Sequence, residues 1–275
     1  MFFLNKAMGY RLIPPRGNPN ILGGFLVLTL PLGISLFLNY KQSLKQSVTY
    51  LVFIAAIMAT GLLFTYSRGA WVGFLVAIMI LCLTRKSRIF LSGGVVLLLV
   101  AVFIWAVWWL APASDLGKRL ETFKNLEKDS AFQARISGWR ASLEIIKDHP
   151  WRGIGAGKFR QIYPNYKPQE DKFILYHPHN SYLDIAVSFG IPGILLFSII
   201  CFVFFKTMIT TFSTLHNPYL KSLLGGILAG IIGLMVNILM ESLLTVDEAI
   251  ASLFWLLFGL TFVIKKELTL IRHGS

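Results

Sequence analysis

The sequence is poor in charged residues, and its acidic side chains are outnumbered by its basic ones. Only 14% of the 275 residues are charged, whereas about 25% is usual in soluble domains. Lys and Arg number 26 against 13 Asp and Glu, which gives a net charge of +13. The hydrophobic fraction of 55% excludes a disordered chain and is too high for a soluble nucleic-acid-binding protein. The remaining class is a membrane protein that crosses the bilayer several times and carries its few charges in loops.

Cysteine is also scarce, and no long apolar segment opens the chain. Cys82 and Cys201 each lie inside an apolar run, so the sequence indicates no disulfide framework. The first residues, MFFLNKAMGYR, lack the apolar core of a secretory leader, and we therefore expect no cleavable signal peptide.

Long apolar runs dominate what is present. A helix needs about 20 apolar residues to cross a bilayer, and seven uncharged runs approach or meet that length. The runs predict an all-α, polytopic bundle of about seven spans with one helical extracytoplasmic loop. We expect transmembrane helices one to four in residues 1–110, the loop in 111–180 and helices five to seven in 181–275. The seven runs are Ile21–Tyr40, Gln46–Tyr66, Gly69–Thr84, Ile89–Leu110, Ile185–Phe205, Ser222–Met240 and Ala249–Ile264.

The basic residues of the short loops predict the orientation. If all seven runs cross, the basic loops fall on one side, which the positive-inside rule assigns to the cytoplasm. The long hydrophilic segment Ala111–Asn180 and the N-terminus then face outside. That orientation predicts either an odd number of further helices ahead of residue 1 or an atypical N-terminal segment. The basic residues concerned are Lys41, Lys45, Arg85, Lys86, Arg88, Lys206, Lys221, Lys265, Lys266 and Arg272.

The segment Ala111–Asn180 has 12 basic and 8 acidic residues. Two interpretations of this excess stay open. Long loops escape the charge bias of short ones, and a basic surface also attracts an anionic substrate.

One amphipathic helix is predicted inside this segment. Its apolar residues recur at spacings of four and three, which places them in one stripe of a helix near Ala131–Lys147. Ser130 is the expected N-cap, and Pro150 follows the predicted end. We expect the helix to lie on the membrane surface or to pack on the transmembrane bundle. The stripe consists of Phe132, Ile136, Trp139, Leu143 and Ile146.

Glycines and aromatic residues follow this helix. Gly153, Gly155 and Gly157 do not follow a strand of a βαβ unit, so they predict a tight turn rather than a dinucleotide site. The rings in Phe159–Tyr166, which include Tyr163, either stack on sugars or pack the loop. Packing is the favoured interpretation.

Arg68 lies between two apolar runs on the predicted outer side. An ionisable residue so close to the bilayer core usually faces a cavity or a partner, although the side chain can instead reach the lipid headgroups. Glu241 comes four residues after Asn237 near the end of the sixth run, which predicts a shared helix face. Glu241 could pair with Arg68 or orient a water in a cavity.

Two histidines, His177 and His179, end the hydrophilic segment. A histidine there can be neutral near pH 7 and accept a proton, although either one can be structural. No third ligand accompanies them, so we expect no metal site. Arginine forks that bind phosphate, together with such a base, suit a lipid-diphosphate glycosyl donor. This chemistry demands neither a metal nor a nucleotide, and we expect no cofactor.

Three motifs carry a family resemblance. They are Ser67-Arg68-Gly69-Ala70-Trp71, then Arg135-Ile-Ser-Gly-Trp139 followed by Asp148-His-Pro150 and Gly153-Ile-Gly155, and His179-Asn180 followed after nine residues by Gly190-Ile-Pro-Gly193. With them the chain resembles the C-terminal part of the O-antigen ligase and O-antigen polymerase superfamily of bacterial envelope enzymes. The resemblance implies that His179 is the general base and that Arg68 and Arg135 bind the diphosphate, with Arg140 as a weaker candidate. Asn180 and Glu241 are the predicted supporting residues.

The resemblance implies a glycosyltransferase of the bacterial cytoplasmic membrane with its active site facing outside. Its expected partners are a polyprenyl-diphosphate-linked glycan, membrane lipid and an acceptor that is a glycan, a lipid A core or a protein. Nucleic acid is not expected, and an N-terminal helical half belongs to full family members. Two other functions are a bicarbonate-type anion transporter and a non-catalytic, truncated family member. The almost charge-free inner halves of the spans argue against transport.

Overall fold

The computed structural model describes residues 3–5, 11–13, 18–37, 60–85, 129–169 and 171–273, and these residues are mainly helical. The helices are α1 (Pro19–Phe37), α2 (Arg68–Arg85), α3 (Ser130–Asp148), α4 (Phe159–Ile162), α5 (Ser181–Thr214), α6 (Pro218–Asn237), α7 (Leu243–Val246) and α8 (Glu248–His273). A 3₁₀ turn, Tyr163–Asn165, follows α4. Two short strands, β1 (Phe3–Asn5) and β2 (Arg11–Ile13), pair antiparallel with Leu4 opposite Leu12.

Four helices in the described ranges are long and apolar enough to cross a membrane: α1, α5, α6 and the first part of α8. The helix α2 is apolar but shorter. These helices confirm the helical character of five of the predicted runs. The run Ile89–Leu110 lies outside the described residues, as does most of Gln46–Tyr66, of which 60–65 are helical. The count of seven spans therefore stays a prediction.

The chain divides into two compact units. The first unit is Met1–Leu116 with Phe204–Asn237 and Ser252–Ser275, and the second is Gly117–Val203 with Ile238–Ala251. Each unit draws on segments that are distant in sequence. The helices α5 and α8 contribute residues to both units.

In the first unit, α1, α2 and α6 approach one another through glycines. A Cβ on Gly73 would lie 2.5 Å from the carbonyl oxygen of Gly233, and a Cβ on Gly230 would lie 2.3 Å from that of Leu28. Small residues at such crossings let backbones come close, which is how helices associate in lipid. In the same unit, the rings of Phe204 and Phe258 stack at 4.0 Å between centroids.

The second unit has its own apolar core around α3, α4 and the start of α5. Its fully or nearly buried members include Ile145, Phe159, Tyr163 and Val187. The N-cap of α3 is Asp129, whose carboxylate accepts a hydrogen bond from the amide of Ala131 at 3.0 Å. The prediction of Ser130 as N-cap was wrong by one residue, because Asp caps a helix as well as Ser does.

The predicted apolar stripe of α3 is not its buried face. Leu143 in that stripe is 51% exposed. A Cβ on Gly138 would lie 3.3 Å from the carbonyl oxygen of Pro178, so short side chains are needed where the helix meets the histidine-bearing segment. The large side chains of the predicted stripe are half-buried or exposed. The buried face consists of Ser137, Gly138, Ala141, Ser142 and Ile145.

Candidate active site

Three residues predicted from the sequence, Arg135, His179 and Glu241, meet in the second unit. Glu241 lies in the turn after α6, and its side chain is only 4% exposed. One of its oxygens, Oε1, accepts a hydrogen bond from Nη2 of Arg135. The other, Oε2, lies 3.3 Å from Nδ1 of His179. A single buried carboxylate thus joins the predicted base to a predicted phosphate-binding residue.

Arg135 is held in place by its own helix and by the turn that carries Glu241. Its Nη1 donates to the carbonyl oxygen of Ala131 and its Nε to that of Met240, each at 3.0 Å. A guanidinium has five N–H bonds, and three of them have partners among the described residues. The side chain is 17% exposed, and the remaining two N–H bonds have no partner among the described residues.

Glu241 is ionised at neutral pH. Burial by itself would raise its pKa, but the hydrogen bond with His179 and the charge of Arg135 outweigh burial and hold the pKa below its usual range. An ionised carboxylate only accepts hydrogen bonds, so it selects the tautomer in which Nδ1 of His179 carries the proton. The other ring nitrogen, Nε2, then has the free lone pair that a general base needs.

The position of Glu241 corrects one prediction. The helix α6 ends at Asn237, so Glu241 does not share a helix face with that residue. Its described partners are Arg135 and His179, which lie 106 and 62 residues away in sequence. A pairing with Arg68 stays a prediction.

Backbone and hydroxyl hydrogen bonds bring the His179 segment to the turn of Glu241. The amide of Asn180 donates to Oγ of Ser242 at 3.1 Å, and the amide of Ser181 donates to the carbonyl oxygen of Ile238 at 3.0 Å. The hydroxyl of Ser181 donates in turn to the carbonyl oxygen of Glu241. His179 has a φ of 55°, a left-handed conformation that is uncommon outside glycine. The surrounding bonds hold this conformation, which is typical of a functional site.

His177 is a weak base. Burial, followed by the nearby His179, lowers the pKa of His177 to about 4 even though Glu241 opposes this shift. A base is most effective when its pKa lies near the working pH. The Nδ1 of His177 lies 3.4 Å from the backbone amide of His179, and the two rings lie 4.3 Å apart. His177 therefore supports the neighbouring histidine.

The spacing between His179-Asn180 and Gly190 defines one helical segment. The side-chain oxygen of Asn180 accepts from the amides of Tyr182 and Leu183 at 2.9 and 3.1 Å, so Asn180 caps the start of α5. Gly190 interrupts α5 with φ 71° and ψ −168°. Gly190, Pro192 and Gly193 together predict a break in this helix, and the structure confirms it at Gly190. The nine residues between Asn180 and Gly190 set the length of the segment that begins at the active site.

The predicted glycine turn at residues 153–155 supplies hydrogen-bond partners for the backbone at this break. Where the chain departs from the helix at Gly190, the last carbonyls of the segment lose their helical partners. The amides of Ile154 and Gly155 donate to the carbonyl oxygens of Val187 and Ser188 at 2.9 and 3.0 Å. In return the amide of Ile191 donates to the carbonyl oxygen of Pro150 at 2.7 Å. These bonds fix the helical segment that starts beside His179.

Gly153→Ala and Gly190→Ala are each expected to destabilise the protein by about 1–3 kcal/mol or more. Both glycines have positive φ, and an added Cβ would lie 2.5 Å from the carbonyl oxygen of Val187 or Pro150, respectively. Gly157→Ala is the matched control, because Gly157 also has positive φ but no atom within 4 Å of an added Cβ. Thermal unfolding of the purified variants in detergent measures the effect. If Gly157→Ala and Gly190→Ala destabilised the protein equally, the contact between the turn and the helix break would not contribute to stability.

The two remaining predicted arginines are Arg68 and Arg140. Arg68 begins α2 in the first unit and is half-buried. The turn before it is fixed by Trp71, whose Nε1 donates to the carbonyl oxygen of Leu62 at 2.7 Å. The convergence of Arg68 with Arg135 stays a prediction. Arg140 is exposed and lies about 140° around α3 from Arg135, where it lines a groove with Tyr166.

A buried polar cluster was missed by the sequence interpretation. Oγ of Ser137 and the hydroxyl of Tyr163 lie 2.7 Å apart, and both donate to the carboxylate of Asp171. Burial raises the pKa of Tyr163 to about 12. Tyr163 and Phe159 pack in the core, which agrees with the favoured interpretation of these rings.

Among the described residues, no group of three or more His, Cys, Asp or Glu side chains could hold a metal ion.

The chain is similar to a known family and to a curated relative. The family model of the O-antigen ligase matches residues 53–198. A general O-oligosaccharyltransferase of Acinetobacter baylyi (strain ATCC 33305 / BD413 / ADP1) is 32% identical over 150 residues. This match covers 50% of the chain and 25% of the relative, so the chain spans about a quarter of the length of that relative.

Proposed function

Because the chain belongs to the O-antigen ligase family, we propose that it transfers a glycan from a polyprenyl diphosphate to an acceptor hydroxyl. Its apolar helices and its family make it a membrane protein. The observation that carries the proposal is the carboxylate of Glu241, which contacts both His179 and Arg135. A base and an anion-binding group within reach of one carboxylate suit a reaction that activates a hydroxyl beside a diphosphate.

Arg135 and Arg68 bind the diphosphate in this proposal. Arg135 keeps two N–H bonds that its described contacts do not use, and a guanidinium binds phosphate oxygens through charge-assisted hydrogen bonds. Arg68 stands at the first residue of α2, where the partial positive charge of the helix start also favours an anion. Charge-assisted contacts of this kind neutralise the charge that develops on the leaving polyprenyl diphosphate.

His179 acts on the acceptor. Its Nε2 removes the proton of the acceptor hydroxyl as that oxygen bonds to the anomeric carbon of the donor. The bond between this carbon and the diphosphate oxygen breaks, and polyprenyl diphosphate leaves. Glu241 stabilises the imidazolium that forms, because its carboxylate lies 3.3 Å from Nδ1. Its role is that of the carboxylate which orients a catalytic histidine in a triad.

The reaction takes place on the outer face of the bacterial cytoplasmic membrane. The excess of Lys and Arg in the short loops supports this orientation through the positive-inside rule. The acceptor is a hydroxyl of another glycan, a lipid or a protein. The similar protein of Acinetobacter baylyi is an O-oligosaccharyltransferase, which favours transfer of an oligosaccharide onto oxygen.

Arg68→Lys is expected to raise the KM for the donor about tenfold, because a charge-assisted bond contributes roughly 1.5–3 kcal/mol and lysine lacks the fork. The assay uses the 275-residue chain in membranes that contain a polyprenyl-diphosphate glycan and follows consumption of that glycan. Arg160→Lys is the control, because this exposed guanidinium lies over the ring of Tyr176. An unchanged KM in Arg68→Lys would remove Arg68 from the donor site. A wild-type chain that consumes no donor would contradict the proposed function.

A further inference from the structure

A groove on α3 lies away from the Arg135 contacts. It has a volume of about 490 Å³ and is lined by Arg140, Leu143, Ile146, Tyr166 and Lys167 among others. Ligand sites commonly measure about 300–1,000 Å³. The groove combines cations, an aromatic ring and aliphatic side chains, which are the groups that contact a saccharide with a negative charge.

Arg140 lines this groove without a carboxylate partner among the described residues. It is exposed, and within the described ranges no hydrogen bond or ion pair involves its guanidinium. The acidic residue beside it, Glu144, is already paired with Lys147 at 2.6 Å. Lys167 donates to the neutral carbonyl oxygens of Asp171 and Phe173, which leaves its charge in place. The groove therefore has positive charge that a ligand carboxylate would complement.

Tyr166 presents a ring whose position is fixed. Its hydroxyl donates to a carboxylate oxygen of Asp148 at 2.8 Å, and this bond raises the pKa of Tyr166. The ring packs against the buried core of the second unit. A fixed aromatic surface loses little conformational entropy when it binds a ligand, and its face suits the C–H face of a sugar ring.

We propose that this groove binds a carboxylate-bearing sugar of a glycan substrate, an assignment that rests on the proposed transfer function for the origin of the glycan. Arg140 pairs with the sugar carboxylate, and Tyr166 stacks on the sugar ring. Leu143, which is 51% exposed, and Ile146 contact the apolar edges of the ring. The groove is a second substrate site, because Arg140 is turned about 140° around α3 from Arg135.

The test measures direct binding to the purified 275-residue chain in detergent, without any transfer reaction. The probes are an oligogalacturonate and its methyl ester, which has the same sugars with the carboxylates blocked. Calorimetry is expected to show binding of the acid and about tenfold weaker binding of the ester. Arg140→Gln weakens binding of the acid about tenfold and removes the preference over the ester. Tyr166→Leu weakens both probes, and Arg160→Gln, at an arginine outside the groove, changes neither.

His179→Ala separates the two proposals. This variant is expected to bind oligogalacturonate as the wild type does and to lose glycan transfer. Groove binding without any transfer by the wild-type chain would overturn the proposed function but retain the groove. Absence of oligogalacturonate binding, equal affinity for acid and ester, or full binding by Arg140→Gln would overturn the groove assignment.

Discussion

Replacing His179 is expected to lower glycan transfer by about 10²–10⁴-fold, the usual contribution of a general base. The imidazole is 26% exposed, so its loss removes little of the core. Alanine, however, is disfavoured at the positive φ of this position. His179→Asn is therefore the second variant, because Asn tolerates the left-handed conformation. An amide can still bond to Glu241 but cannot take a proton from an alcohol near pH 7.

The measurement is the accumulation of unprocessed lipid-linked glycan in membranes that contain each variant. His216→Ala is the control, since His216 is exposed in the loop between α5 and α6. His177→Ala is expected to have a milder effect, because a group with a pKa of about 4 is not the base at neutral pH. Full transfer by His179→Asn, or an equal loss from His177→Ala, would exclude His179 as the base.

The helices and the break in α5 could be predicted because their signals are local. A membrane helix satisfies its own backbone, so an uninterrupted apolar run is sufficient to indicate one. The helix predicted near Ala131–Lys147 is found at Ser130–Asp148. The break was predicted from glycine and proline in residues 190–193, and the turn from the glycines in residues 153–157. The hydrogen bonds between the turn and the break were not predictable, because Gly153 and Gly190 lie 37 positions apart in the sequence.

The contacts of the candidate site needed the structure. The sequence predicted that Glu241 shares a helix face with Asn237. Instead α6 ends at Asn237, and the following turn places the carboxylate against Arg135 and His179. Nothing in local spacing indicates partners this distant in sequence. The polar pair Glu241-Ser242 at the end of an apolar run was the available signal, since polar residues there rarely face lipid. The buried face of α3 likewise depends on a distant segment, because a Cβ on Gly138 would lie 3.3 Å from the carbonyl oxygen of Pro178.

Glu241→Gln is expected to lower transfer by about 10²–10⁴-fold, although Gln has nearly the same size. The carboxylate accepts a hydrogen bond from Nδ1 of His179, whereas an amide can donate to that nitrogen. The proton then moves to Nε2, and the ring cannot accept the proton of the hydroxyl. The equivalent change in a catalytic triad lowers kcat by about 10⁴. Glu248→Gln, at an exposed carboxylate at the start of α8, is the control and should transfer normally.

The double variant His179→Asn/Glu241→Gln tests whether Glu241 acts through the histidine. Residues that work as one unit give non-additive effects, so the double variant is expected to lose little more activity than His179→Asn alone. If the activity loss of the double variant equalled the product of the two single losses, Glu241 would act independently of His179, through Arg135 or through the fold. Thermal unfolding of the same four proteins identifies a loss that comes from the fold. Glu241→Gln also leaves the guanidinium of Arg135 without its negative partner, so a raised donor KM with unchanged kcat would assign Glu241 to the diphosphate site and contradict its role in positioning His179.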